Sequence, residues 1–162
     1  MSGSCCPVPP ARTTPATCPE CGRRTKPVET RTVRHHVLPH LVETLGQGQY
    51  GFCETPTCPV VYAVAGGPPL RKTDLRTRVG IKETADPIPV CYCWSFTERQ
   101  VIEDVLAHGR STVREYIARR VAEGACACEV NNPSGRCCLG NVGAAVKKGE
   151  RLVASRASAS VP

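Results

Sequence analysis

Cys91-Tyr92-Cys93 places two thiols one residue apart, directly before SFTERQV, which reads as the start of a helix. Two close thiolates chelate a soft metal, and a loop before a helix also offers free amide N–H groups. Roughly thirty residues of helical pattern then separate this pair from Cys126, Cys128, Cys137 and Cys138. A [2Fe-2S] cluster needs two thiolates on each iron, and these cysteines supply enough of them; helix N-termini would favour its negative charge. A second Zn(II) on the same ligands is the chemical alternative, because four thiolates suit both centres.

A separate set lies upstream. In Cys18-Pro-Glu-Cys21-Gly22 two thiolates can hold one ion from a tight turn, with Gly22 letting the backbone bend beneath them. Cys53-Glu-Thr-Pro-Thr-Cys58 is a second knuckle, and the four sulfurs together form a tetrahedral set for structural Zn(II). A redox CxxC would sit at the start of a helix in a βαβ pattern, and Pro19-Glu20 leads into none. His36 and His40 are spaced as helical ligands would be, but with VLP between them, they and His35 read as structural histidines.

These sites must be positioned by elements the rest of the chain predicts. Thr- and Val-rich segments, GQGQYGFC and an apolar strand at Val60 to Val64 make a small β-rich unit, with HHVLPHLVETL of uncertain type. Asp86-Pro87-Ile88-Pro89 is extended, because each residue before a proline is pushed out of the α region, and marks the junction. Beyond it, Val101, Ile102, Val105 and Leu106 form one helical face, with Thr97 and Gln100 as a capping box and Gly109 as the stop. Val113, Tyr116, Ile117 and Val121 stripe a second helix, capped by Ser111 or Thr112 and ended by Gly124. Asn-Pro-Ser-Gly before Cys137 is a turn, and LGNVGAAVKK a short closing helix. The predicted class is α+β: a disordered tail over 1–17, a zinc-binding unit over 18–86, a helical cluster unit over 87–148, and a disordered tail over 149–162.

Composition narrows the setting. Only 4% of the 162 residues are aromatic, so large core-filling side chains are scarce and metal sites would help hold the fold. Twelve cysteines would permit disulfides, but the N-terminus has no basic start and apolar h-region. We read the chain as cytoplasmic, where clustered cysteines ligate metal, and without a membrane insertion. The formal charge of +7 counts every cysteine as a neutral thiol; two four-thiolate centres would bring it to about +3. That excess is too small to indicate a nucleic-acid partner.

CPEC, YGFC with CPVVY, KTDLRTRVGIKETADPIPVCYC and NPSGRCC together resemble the N-terminal zinc and [2Fe-2S] module of CopZ-type copper chaperones, over roughly residues 18–148. The CxC-helix-helix-cysteine half is similar to a Bfd-type ferredoxin domain. The resemblance implies zinc on Cys18, Cys21, Cys53 and Cys58. It implies a cluster on Cys91, Cys93, Cys128 and one of Cys137 or Cys138; Leu139 after Cys138 matches the helix start in Bfd-like domains and favours Cys138. The family's further copper-binding domain with a CxxC loop has no counterpart here, and the only methionine is Met1.

Three function classes follow. The first is a zinc- and [2Fe-2S]-containing metallochaperone-type protein in copper or other soft-metal handling, passing single electrons or metal to a transporter, chaperone domain or redox partner. Cys5, Cys6 and Cys126 are its candidate thiols for transient Cu(I), and exposed cysteines leave a homodimer open. The second is a general ferredoxin-like electron donor or cluster carrier. The third is a helix-turn-helix DNA-binding regulator, suggested by the short inter-helix turn and by Arg110, Arg114, Arg119 and Arg120, features that a helical hairpin with solvated arginines explains equally well. Enzymatic catalysis is not expected beyond metal reduction: the sequence has no nucleophile–base pair, phosphate loop or open metal site.

Overall fold

A computed structural model describes residues 16–159. Its first half is a four-stranded antiparallel sheet in the order β1 (Lys26–Val28), β2 (Tyr50–Phe52), β3 (Val60–Val64), β4 (Leu70–Arg71). The described residues just ahead of Cys18 are paired as well: Thr17 bridges Arg24, and the Thr25 N–H donates to the Ala16 carbonyl. β3 coincides with the apolar run expected as a strand. Its residues Val60, Val61, Tyr62 and Ala63 are all buried: Val60 packs with the knuckle sulfurs, while Val61 and Tyr62 join the valine-rich core.

TRTVR, read as part of a Thr/Val-rich β segment, and the His35-His36 that opens the segment of uncertain type together form the helix α1 (Thr30–His36). Tertiary burial overrides the weak helix propensity of its β-branched residues, for Thr32, Val33 and His36 are buried. A two-turn 3₁₀ segment over Pro39–Thr44 follows.

The second half opens with a short hairpin, β5 (Pro89–Cys91) and β6 (Phe96–Thr97), whose connecting loop carries Tyr92 to Ser95. Ser95 turns that loop in the left-handed region at φ 56°. Then come α2 (Glu98–His108) and α3 (Thr112–Ala122), with the predicted caps. Thr97 and Gln100 form the capping box, Gly109 adopts φ 71°, and Ser111 accepts from the Arg114 N–H at 3.0 Å. Asp104, near the end of α2, accepts from the Val113 N–H at 3.0 Å, which locks the hairpin.

A single-turn α4 (Cys128–Asn131) and the long α5 (Leu139–Ala159) complete the fold. α5 corrects the expected boundary: residues 149–159, anticipated as a tail, continue the helix. Gly149 is buried against Val105 of α2, so packing carries the helix past Lys148, and the exposed remainder is rich in helix formers. No helix among the described residues is long and apolar enough to cross a membrane.

The halves keep separate cores and meet through polar joints. One core centres on Val33, Val37, Phe52, Val61 and Tyr62, the other on Val101, Val105, Ile117, Val142 and Ala145. Between them, Tyr62 Oη donates to the Pro133 carbonyl, and Thr32 Oγ1 to the Glu129 carbonyl. Tyr92 Oη both accepts from the Gly80 N–H and donates to the Arg78 carbonyl.

Candidate metal centres

Cys18, Cys21, Cys53 and Cys58 converge at one end of the sheet, where β2 leads into β3. Cys18 starts a tight turn closed by the Gly22 N–H bonding the Cys18 carbonyl at 2.9 Å, and Gly22 takes φ 68° just as the knuckle requires. Cys53 follows β2 and Cys58 lies just ahead of β3, so the antiparallel pair presents both ends of the CETPTC loop to the first knuckle. The four sulfurs lie within 4.8 Å of one another, and no other group of three or more His, Cys, Asp or Glu ligand atoms among the described residues does so. Cys18 Sγ is 3.8 Å from Cys58 Sγ, and Cys21 Sγ is 3.7 Å from Cys53 Sγ. A disulfide requires about 2.05 Å, whereas a tetrahedron of sulfurs with Zn–S bonds of about 2.3 Å has edges near 3.8 Å. The donor set therefore fits a four-thiolate Zn(II).

The surroundings treat the thiols differently. The Thr55 hydroxyl, 3.4 Å from Cys21 Sγ, stabilises its thiolate and lowers its pKa to about 6. Burial pushes Cys58 up to about 12 and also raises Cys18, so in the metal-free chain those two thiols hold their protons. Beneath the second knuckle lies a residue the sequence did not mark. Lys82, only 5% exposed, donates from Nζ to the carbonyls of Thr55 (2.8 Å) and Cys58 (3.1 Å).

The second set is arranged as two pairs. Cys138 Sγ lies 3.4 Å from Cys91 Sγ, and Cys93 Sγ lies 3.7 Å from Cys128 Sγ. Cys91 ends β5, Cys93 lies in the hairpin loop, Cys128 starts α4 and Cys138 immediately precedes α5. Cys91, Cys128 and Cys138 are essentially fully buried in the helical core, while Cys93 is half-buried. Cys138 is the sulfur brought into the site; the adjacent Cys137 is exposed. Hydrogen bonding from Cys138 lowers Cys128 to about 6 and Cys91 to about 7, and the same two contacts raise Cys138.

Cys93 has donors of its own, as expected for sulfurs next to a helix start: the Ala127 N–H at 3.4 Å and Asn131 Nδ2 at 3.6 Å. Asn131 carried no signal in the sequence, because its role depends on a one-turn helix that folds it back onto a sulfur. Cys126 is half-buried and also hydrogen bonds to Cys128, whereas Cys5 and Cys6 lie outside the described residues. Of the histidines, His36 is buried with Nδ1 2.9 Å from Thr77 Oγ1, and His35 and His40 are exposed. Arg110 and Arg120 pair with Glu115 and Glu123, and Arg119 lies over the Tyr116 ring.

Residues 15–76 match the CopZ-type family described as a zinc binding domain. The X-ray structure of the Archaeoglobus fulgidus CopZ N-terminal domain superposes with a TM-score of 0.65 at 37% identity, covering 76% of this chain and 92% of that one. The chain belongs to the CopZ N-terminal-domain family. The copper chaperone CopZ of the same organism is 38% identical over 121 residues, 75% of this chain. This CopZ-type chain spans 57% of the length of that relative. Family membership supports zinc binding, and within the CopZ-type match fall all four sulfurs of the first centre.

Proposed function

We propose that this protein is a metallochaperone-type component of copper handling that holds structural Zn(II) on Cys18, Cys21, Cys53 and Cys58 and a [2Fe-2S] cluster on Cys91, Cys93, Cys128 and Cys138. The observation that carries the cluster assignment is the division of the second set into a Cys91/Cys138 pair and a Cys93/Cys128 pair. Each pair can chelate one iron, and both lie where helix-start amides are available. The likeness to the copper chaperone CopZ supports the copper role.

When bound, the cluster supplies one electron at a time. The chain's own residues determine where that electron can leave. Cys91 and Cys138 are sealed in the core, so the Cys93 side, half-buried and hydrogen bonded by Ala127 and Asn131, is the exposed flank. Thiolates hold Cu(I) far better than hard ligands do, so Cu(II) arriving at such a site must first be reduced. Cys126, beside Cys128 on that flank, is the thiol placed to receive the product; Cys5 and Cys6 are further candidates on the N-terminal segment.

Protein purified without air should contain zinc, iron and sulfide at one, two and two equivalents by these assignments, with visible sulfur-to-iron absorption. The reduced protein should then be reoxidised by Cu(II), with Cu(I) retained. A colourless protein holding two zinc ions would end the redox proposal. Reoxidation by unrelated acceptors as fast as by Cu(II), with no copper retained, would make it a general electron donor.

A further inference from the structure

Lys82 is a buried ammonium for which no carboxylate is found among the described residues within ion-pair distance: its bonds go to the Thr55 and Cys58 carbonyls. Glu83, its neighbour, is occupied by Lys72 and Arg78. Burying an unpaired cation is costly unless an anion nearby offsets it, and carbonyl dipoles alone do so only in part. Both carbonyls belong to the CETPTC loop. Cys58 is itself one of the four clustered sulfurs, and the Thr55 hydroxyl faces a second, Cys21. Four thiolates around a divalent ion carry a net −2. The zinc-family match ends at residue 76, before Lys82.

We propose that Lys82 is the fixed counter-ion of the four-thiolate centre: a positioning residue that clamps the second knuckle by its two carbonyls and offsets the negative charge of the loaded site. This rests on zinc occupying the first set of cysteines. A 3₁₀ turn (Gly80–Lys82) delivers the side chain, and Lys72 Nζ holds the Lys82 carbonyl at 2.9 Å, so the stretch between sheet and hairpin acts as a strap over the metal loop. Gly80 makes this approach possible, since a Cβ there would lie 1.9 Å from the Pro89 carbonyl oxygen. The charge, more than the hydrogen bonds, is the functional quantity: a neutral donor could satisfy a carbonyl but could not offset the thiolates.

The test compares the full chain with Lys82→Gln, Lys82→Met and Lys82→Arg. Zinc affinity is read by competition with a chromophoric chelator, and the sulfur-to-metal charge-transfer bands are read after Co(II) substitution. Gln and Met should release zinc roughly 10–100-fold more readily, as expected for loss of an outer-shell partner, while Arg should retain most of the affinity. The Co(II) bands should move to longer wavelength in the neutral variants, because an uncompensated thiolate gives up its electron more easily. Wild-type affinity and band positions in Lys82→Gln would overturn the proposal, as would equal weakening in Gln and Arg with unmoved bands, which marks a packing role. If Lys82→Met fails to fold, the Gln and Arg pair still decides. A wild-type chain that takes up no zinc would instead defeat the zinc assignment.

Discussion

Tyr62 Oη donates a 2.7 Å hydrogen bond to the carbonyl of Pro133, tying an inner strand of the sheet to the turn just ahead of Cys137 and Cys138. Tyr62 is fully buried, and burial raises its phenol well above the ordinary value, which keeps it neutral and able to donate. Tyr62→Phe leaves a buried carbonyl without this donor and should cost about 1–3 kcal/mol in denaturant unfolding. Zinc content should be unchanged, because the ring still fills its place beside Phe52. An unshifted midpoint would show that this bond is not a joint between the halves.

Adjacent cysteines should separate cleanly by mutation. Cys138→Ser removes a core sulfur 3.4 Å from Cys91 and should abolish the visible absorption of the proposed cluster, while Cys137→Ser, at an exposed position, should leave the spectrum intact. The reverse result would move the fourth ligand to Cys137.

Asn131 should tune the cluster. Its Nδ2 hydrogen bond to Cys93 Sγ favours the electron-rich reduced state, so Asn131→Leu should make the reduction potential more negative. A bond worth about 1 kcal/mol corresponds to roughly 40 mV for one electron. Protein-film voltammetry would read the shift; a potential unchanged or raised would deny the bond this role.

His36 predicts an acid-sensitive stability. Burial first, then the charges of His35 and Arg76, lowers its pKa from 6.5 to about 4. Between those values the unfolded chain binds the proton and the folded chain does not, so stability falls as pH falls through this window. The loss approaches about 3 kcal/mol near pH 4. His36→Phe should flatten that part of the stability–pH curve measured by denaturant unfolding; an unaltered slope would assign the acid sensitivity elsewhere.

The helix glycines should differ by position. A Cβ at Gly149 would sit 2.8 Å from Val105 Cβ, so Gly149→Ala should lower thermal stability by about 1–3 kcal/mol through overpacking, outweighing the gain in helix propensity. At Gly143 a Cβ meets nothing within 4 Å, and Gly143→Ala should stabilise by about 0.5–1 kcal/mol. Equal effects at both sites would mean that α5 does not pack on α2 through Gly149.

What the chain decides locally was legible in its residues. The Cys18/Cys21 knuckle with Gly22, the Thr97–Gln100 capping box, the Gly109 stop and the apolar run of β3 each involve groups within a few positions of one another, and short-range geometry leaves them few options. The spacing also indicated the first set of four cysteines and a second group around Cys91 and Cys93, for which the family resemblance favoured Cys128 and Cys138. Only the tertiary structure could decide which of two adjacent cysteines enters the second set, because the direction of a side chain entering α5 depends on how that helix packs against α2. The same limit hid α1, whose β-branched residues turn helical only because Val33 and His36 are buried by distant segments. It hid the continuation of α5, which depends on Gly149 meeting Val105. It also hid Lys82, one cation in a polar stretch, whose meaning arises from two carbonyls more than twenty positions away that the sheet register brings beneath it.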